Sequence, residues 1–186
     1  SAPPGRYRIT ALLDGIAPLG RGFFFGSEAI DPLMEQIGIG PDALPAPVSA
    51  FLLQSDERTI LIDAGMGEQE LLGPGFGGLI PGLAAAGVTP DDVDMVVLTH
   101  AHPDHLGGLI RGSDAVFKNA ELALGEVEAG FWTDEAMMAQ APDEAKGMFQ
   151  LALLGRLGVG ITHSQCRGRG ESQCSFIGFQ NKIETF

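Results

Sequence analysis

The sequence predicts an α/β fold of packed mixed layers, and three observations carry that expectation. Strand patterns with a tight hairpin come first, helix and strand patterns alternate from residue 79 onward, and the unbroken apolar run at residues 95–98 (MVVL) reads as a buried strand. Strands followed by a helix–strand alternation imply mixed layers around one core.

Each element has its own signal. Residues 7–13 (YRITALL) alternate and are partly β-branched, so they read as a strand that Asp14-Gly15 ends. Residues 15–47 read as loop, with Gly20, Gly22, Gly26, Gly38, Gly40, Pro41, Pro45 and Pro47. Residues 48–54 form a second strand, Asp56-Glu57-Arg58 turns the chain, and residues 59–62 return it as a hairpin. Asp63-Ala64-Gly65 ends that strand, and the glycine-rich residues 65–78 read as mobile. Residues 79–86 read as a helix closed by Gly87. Thr89 as N-cap, Pro90 at the first helical position and Asp92 at the third start a short helical turn. Beyond the buried run, residues 117–123 read as a strand, and residues 126–132 and 143–154 as helices.

Composition sets outer limits. A chain of 186 residues fits one domain or two small ones, and buries roughly 70% of its unfolded surface. Hydrophobic content of 45% and charged content of 19% belong to a globular chain, not a disordered one. The net charge of −13 repels nucleic-acid backbones and anionic membrane surfaces, so neither is expected as a partner; its bland consequence is solubility. No stretch reaches the roughly 18 apolar residues of a spanning helix. The start, Ser1-Ala2-Pro3-Pro4, shows no Met and no signal-peptide core, which leaves the compartment open. Cys166 and Cys174 are the two cysteines; they could pair, but such a pair says little about export.

The chemistry gathers where the buried strand ends. Thr99-His100-Ala101-His102-Pro103-Asp104-His105 follows it directly, on the side of an open α/β sheet where ligands bind. Three of the four histidines fall within six residues, with a carboxylate among them. Imidazole nitrogen and carboxylate oxygen both suit zinc at about 2.0–2.2 Å. His100 and His102, two apart on an extended segment, point the same way and can grip one metal. Pro103 breaks the strand, re-aiming Asp104 and His105 toward a second position, and Gly107-Gly108 permits a tight exit into a following helix. A purely structural account is the weaker one, because clustered ionisable groups are costly without a ligand. No Ser or Cys nucleophile stands beside the loop to support a covalent route.

HAHPDH fits the H-x-H-x-D-H signature of the metallo-β-lactamase superfamily, and the chain resembles that superfamily over roughly residues 7–152. Leu61-Ile62-Asp63-Ala64-Gly65 resembles the family's strand ending in Asp-Thr-Gly, with Ala64 in place of Thr. ITALLDG, THAHPDHLGGL, and Glu128-Ala129-Gly130-Phe131-Trp132 followed by Ala141-Pro142-Asp143-Glu144-Ala145-Lys146-Gly147 are similar to the methyl parathion hydrolase branch. The resemblance implies an αββα sandwich and a dinuclear zinc hydrolase acting on a small molecule. It places His100 and His102 on a first metal and Asp104 and His105 on a second, with Asp104 counted as catalytic. It makes Asp63 the group that orients the ligand loop, and Phe131 and Trp132 the lining of a leaving-group pocket. For the two aromatics, packing on the core weighs equally. A metal-bound hydroxide between ions about 3.5–4 Å apart would attack a phosphotriester, lactone or ester; the metals lower the water pKa to near 7 and stabilise the oxyanion.

The chain departs from that family toward its end. The family's second half supplies a further histidine, a bridging aspartate and a last histidine, and no Gly-His-Thr-Pro-Gly-His-like segment is present. His163, in Gly160-Ile161-Thr162-His163-Ser164, has the wrong surroundings for a ligand role. Residues 155–186 contain no Ala, Asp or Pro, whereas residues 1–154 hold 21 Ala and all 12 Pro. The expectation is therefore a division into residues 1–154, the first half of a metallo-β-lactamase-like domain, and residues 155–186, an atypical and disordered or misread tail. A basic binding segment and a Cys-His metal set (His163, Cys166, Cys174) are weaker readings of that tail. Three functional readings stand: an active metal-dependent hydrolase; a catalytically incomplete fragment holding one zinc or none where the family holds two; and a non-enzymatic metal-binding or interaction domain. A half-sandwich would also leave an apolar sheet face, which a homodimer would hide.

Overall fold

Alternating apolar residues assemble a seven-stranded mixed sheet with helices packed on one of its faces, and a separate two-stranded ribbon. The computed structural model describes residues 7–20, 31–40, 44–69, 73–157, 160–165 and 175–180. Its strands are β1 (Arg8–Leu19), β2 (Leu44–Gln54), β3 (Thr59–Ile62), β4 (Met95–Val97), the short ribbon β5 (Ile110–Arg111) and β6 (Asp114–Ala115), β7 (Glu121–Gly125), β8 (Gly160–Gln165) and β9 (Ser175–Gln180). Its helices are α1 (Asp31–Gln36), α2 (Leu79–Ala85), α3 (Pro103–Leu106), α4 (Glu126–Trp132), α5 (Glu135–Gln140) and α6 (Asp143–Leu157). The main sheet runs in the order β1-β2-β3-β4-β7-β9-β8. β3, β4 and β7 are mutually parallel, and the outer pairs are antiparallel. Parallel neighbours need a crossover, which α2 supplies between β3 and β4.

The two faces of this sheet differ. In register, Leu52, Leu61, Val96 and Leu122 form one row across four strands, each at most 5% exposed. That row joins Leu79 and Leu83 of α2, Leu106 of α3, Trp132 of α4 and Phe149 of α6 in one core. The opposite row, Ala11, Phe51, Ile62, Val97 and Ala123, is apolar but stays half-buried or exposed. Ile9 at 65% and Phe51 at 43% exposure mark that second face.

The structure revises the sequence pattern at several points. β1 does not end at Asp14-Gly15: its register shifts there and the strand continues to Leu19. The shift turns Asp14 inward, to 2% exposure. Its Oδ2 accepts from the N–H groups of Met66 (2.8 Å) and Gly67 (3.2 Å), and its Oδ1 from Gly77 (3.2 Å) and Leu79 (3.1 Å). The glycine-rich segment read as mobile is thus pinned near both ends. Gly65 adopts φ 69°, and a Cβ there would strike the Asp14 carboxyl. Residues 15–47, read as loop, contain the end of β1, α1 and the start of β2. β7 begins at Glu121, because Phe117 is buried and the Ala120 N–H closes a turn onto its carbonyl. α5 escaped the pattern; it is a short helix started by Asp134, whose carboxylate accepts from the Ala136 and Met137 N–H groups. The exit from Gly107-Gly108 is a 3-10 turn leading to β5, not a helix. Residues 155–186 contribute the end of α6 and the strands β8 and β9, of which β9 pairs with β7. Residues 21–30, 41–43 and 70–72, and Cys166, Cys174 and the run between them, lie outside the described residues.

Candidate metal centre

Two loops meet at the ends of β3 and β4. Asp63, just past β3, has φ 60°, a left-handed conformation that costs a non-glycine residue energy. Its surroundings hold it there. Its N–H donates to the Val97 carbonyl at 2.9 Å. Its carboxylate accepts from the Thr99 N–H at 2.8 Å and from the Thr99 hydroxyl at 2.9 Å, and it faces His105 Nδ1 at 2.9 Å. An ionised carboxylate only accepts, so a proton sits on His105 Nδ1; Nε2, which faces Asp104, becomes a metal donor only once its own proton is lost. The Ala64 N–H donates to the His105 carbonyl at 2.7 Å, and the Gly108 N–H to that of Gly65 at 3.0 Å. A Cβ on Gly107 would run into the Met66 carbonyl and one on Gly108 into that of Ala64. The paired glycines therefore let the two loops lie backbone to backbone.

On this base the four proposed ligands converge. His102 is extended (φ −70°, ψ 153°) and caps α3, with Pro103 at the first helical position. His100 Nε2 lies 3.0 Å from His102 Nδ1. His105 Nε2 lies 3.3 Å from Asp104 Oδ2. The His100 and His105 ring centres are 3.9 Å apart, so the two pairs are adjacent. Two nitrogens bound to one tetrahedral zinc at about 2.0–2.1 Å stand about 3.3 Å apart, so each pair already has the spacing of two ligands on one ion. Among the described residues, no three or more His, Cys, Asp or Glu side chains form a ready metal cage; the donors come in twos.

The electrostatics favour positive charge beside the two carboxylates, and without a metal His105 carries it. Burial opposes charge on His105, but the contacts with Asp104 and Asp63 outweigh it and push its pKa up to about 9. Burial also opposes ionisation of Asp63, yet the bonds to His105 and Thr99 hold its pKa below the ordinary value. The His105 contact lowers that of Asp104. Burial, and then the neighbouring His105 and His102, lower that of His100, which favours the neutral imidazole a metal requires.

The aromatic pair divides. Trp132 is 7% exposed, packed on Phe149 at 4.8 Å between ring centres, and edge-on to His102 at 5.4 Å. Phe131 is 42% exposed beside it. Two further participants were not singled out from sequence. Thr99 links Asp63 to His100, its hydroxyl 3.1 Å from His100 Nδ1. Glu128 Oε2 accepts from the Ala101 N–H at 3.1 Å and from Trp132 Nε1–H at 2.9 Å. Only the four-residue spacing of Glu128 and Trp132 on one helix hinted at such a contact.

The model of the Metallo-beta-lactamase superfamily matches residues 43–165, and the chain belongs to that superfamily. It is 34% identical, over 118 residues, to Metallo-beta-lactamase domain-containing protein 1 of Mus musculus, covering 58% of this chain and 42% of that protein. It is 38% identical, over 77 residues, to the N-acyl homoserine lactonase AiiB of Agrobacterium fabrum, covering 33% of this chain and 28% of that protein. The chain thus spans less than half the length of these relatives. The crystal structure of the hydrolase AbOPH of the beta lactamase superfamily aligns with a TM-score of 0.72 at 26% identity, over 94% of this chain and 66% of that one. The dizinc quorum-quenching lactonase AidC shares the fold, with a TM-score of 0.65 at 24% identity over 82% of this chain and 55% of that one. The chain is homologous to metal-dependent hydrolases of the superfamily.

Proposed function

We propose that this chain carries the metal-binding loop of a zinc-dependent hydrolase of small phosphotriesters, lactones or esters. The observation that carries the reading is the paired donor geometry, 3.0 Å between His100 Nε2 and His102 Nδ1 and 3.3 Å between His105 Nε2 and Asp104 Oδ2. His100 and His102 would hold one zinc, and Asp104 and His105 a second. Zinc, when bound, supplies Lewis acidity and makes water nucleophilic near neutral pH. The chain's own groups favour a neutral His100, keep Asp104 ionised, and orient the His105 ring through Asp63; His105, with a pKa of about 9, would give up its Nε2 proton to serve as a ligand. Phe131, half exposed beside the site, would contact an apolar leaving group, while Trp132 backs His102. The likeness to the lactonase AiiB supports a lactone, and the resemblance to the methyl parathion hydrolase branch supports a phosphotriester.

A second reading, metal binding or interaction without turnover, is favoured by the count of two donors per pair and by the partly exposed apolar sheet face. Assays of an activated aryl ester, a phosphotriester and an acyl homoserine lactone, with zinc and with chelator, separate the two. Zinc-dependent hydrolysis that His102→Ala abolishes is the expected result. Hydrolysis that survives both chelator and His102→Ala would sink the proposal, and zinc binding without turnover of any of the three would leave the second reading standing.

A further inference from the structure

We propose that Glu128 is a positioning residue for the His100–His102 pair, acting through the Ala101 backbone and the Trp132 indole; the inference rests on reading that pair as a metal site. Glu128 is half-buried on α4, and a single oxygen, Oε2, takes both bonds. The bond to Ala101 reaches the ligand loop between its two histidines. Ala101 is 1% exposed, so its N–H needs an acceptor from the protein. This bond ties the loop to α4 midway between the nitrogens that must converge.

The bond to Trp132 fixes the other side. With Nε1 held by Glu128, the indole stands edge-on to His102, with ring centres 5.4 Å apart and planes at 77°. Phe149 packs on the same indole at 4.8 Å, so the indole cannot swing away. Apart from its approach to His100, the His102 imidazole is exposed and has its ordinary choice of rotamers. The anchored indole narrows that freedom to the orientation in which Nδ1 faces His100 Nε2. Partners of this kind, one step behind a metal ligand, govern affinity as well as geometry.

Glutamine keeps an oxygen that can accept both bonds and removes only the charge; alanine removes both bonds. Trp132→Phe keeps the ring and removes the indole donor. The full chain, as wild type and as the three variants Glu128→Ala, Glu128→Gln and Trp132→Phe, is titrated with zinc by calorimetry; wild type and the two Glu128 variants are also followed by the emission of Trp132, the one tryptophan of the sequence. Metal-free thermal melts run alongside. Glu128→Ala should weaken zinc about 10–100-fold and shift Trp132 emission to longer wavelength, while Glu128→Gln stays within about threefold of wild type. Trp132→Phe should fall between them. Equal zinc affinity in wild type and a folded Glu128→Ala overturns the inference, as does a Glu128→Gln as impaired as Glu128→Ala. If Glu128→Ala gives no cooperative melt, unchanged affinity in Trp132→Phe overturns it instead. Wild-type protein that binds no zinc removes the metal reading of His100 and His102 itself, and this inference with it.

Discussion

Asp14 and Asp63 are the two charged residues buried among the described residues, at 2% and 5% exposure, and their partners set them apart. All four of the Asp14 bonds come from backbone N–H groups, three in the glycine-rich segment and one at the start of α2. Asp63 takes one backbone N–H, one hydroxyl and one imidazole, all from the ligand loop. Both satisfy the requirement that a buried carboxylate be fully hydrogen-bonded. The first holds chain to chain, whereas the second sets the tautomer and aim of a side chain that can bind a metal. A buried acid is therefore read by its donors: backbone donors indicate architecture, and titratable donors indicate chemistry.

Asp14→Ala should show the largest effect on stability. It strands four backbone donors and unpins the segment before α2, at a cost of about 3–5 kcal/mol. That is a large share of the roughly 5–15 kcal/mol a domain has. Asp14→Asn should do only slightly better, because its NH2 group would face N–H donors. Urea denaturation followed by circular dichroism measures both. A loss no larger than that of a surface substitution would break the contrast with Asp63.

Asp63→Asn should separate the roles from the other direction. Asn tolerates φ 60° and keeps an oxygen for the Thr99 N–H, so stability should fall by only about 1–2 kcal/mol. Its amide can instead meet His105 Nδ1 as a donor, moving the imidazole proton to Nε2, where a metal would bind. Zinc affinity should fall about 10–100-fold, as for other groups that orient a ligand. Zinc titration of folded protein checks it; unchanged affinity would place Asp63 with Asp14 as scaffold.

The comparison also explains what was legible before folding. The ligands His100, His102, Asp104 and His105 are contiguous and carry their chemistry in their side chains, so they stand out directly. β3 and α4 matched their patterns to the residue, and β4 to within one residue. Asp14 read as a strand terminator because Asp-Gly is a turn signal, while the register shift that buries it depends on a loop some 50 residues away. Glu128 and Thr99 likewise act through one long-range contact each, to Ala101 and Asp63, which no local period encodes. Helices α1 and α5, six residues each, are too short for a 3.6-residue period to register.

A third carboxylate gives the smallest effect and tests whether burial, rather than bond count, makes the other two matter. Asp92 is exposed, yet its Oδ2 accepts from the Thr89 hydroxyl at 2.6 Å and the Thr89 N–H at 2.8 Å. Those bonds, the hydroxyl's first, hold its pKa below the ordinary aspartate value. A pKa depressed in the folded state means that folding favours the ionised form. The contribution is therefore fully present above the unfolded pKa and is lost as pH falls through the lower, folded value. Water competes for every one of these groups, so Asp92→Asn should shift the urea midpoint least of the four aspartate variants near neutral pH. Between about pH 7 and about pH 3 that small difference from wild type should shrink toward zero. A difference that widened on acidification would give the pKa shift the wrong sign. A loss comparable to that of Asp14→Ala would show that two bonds at the surface count as much as four in the core.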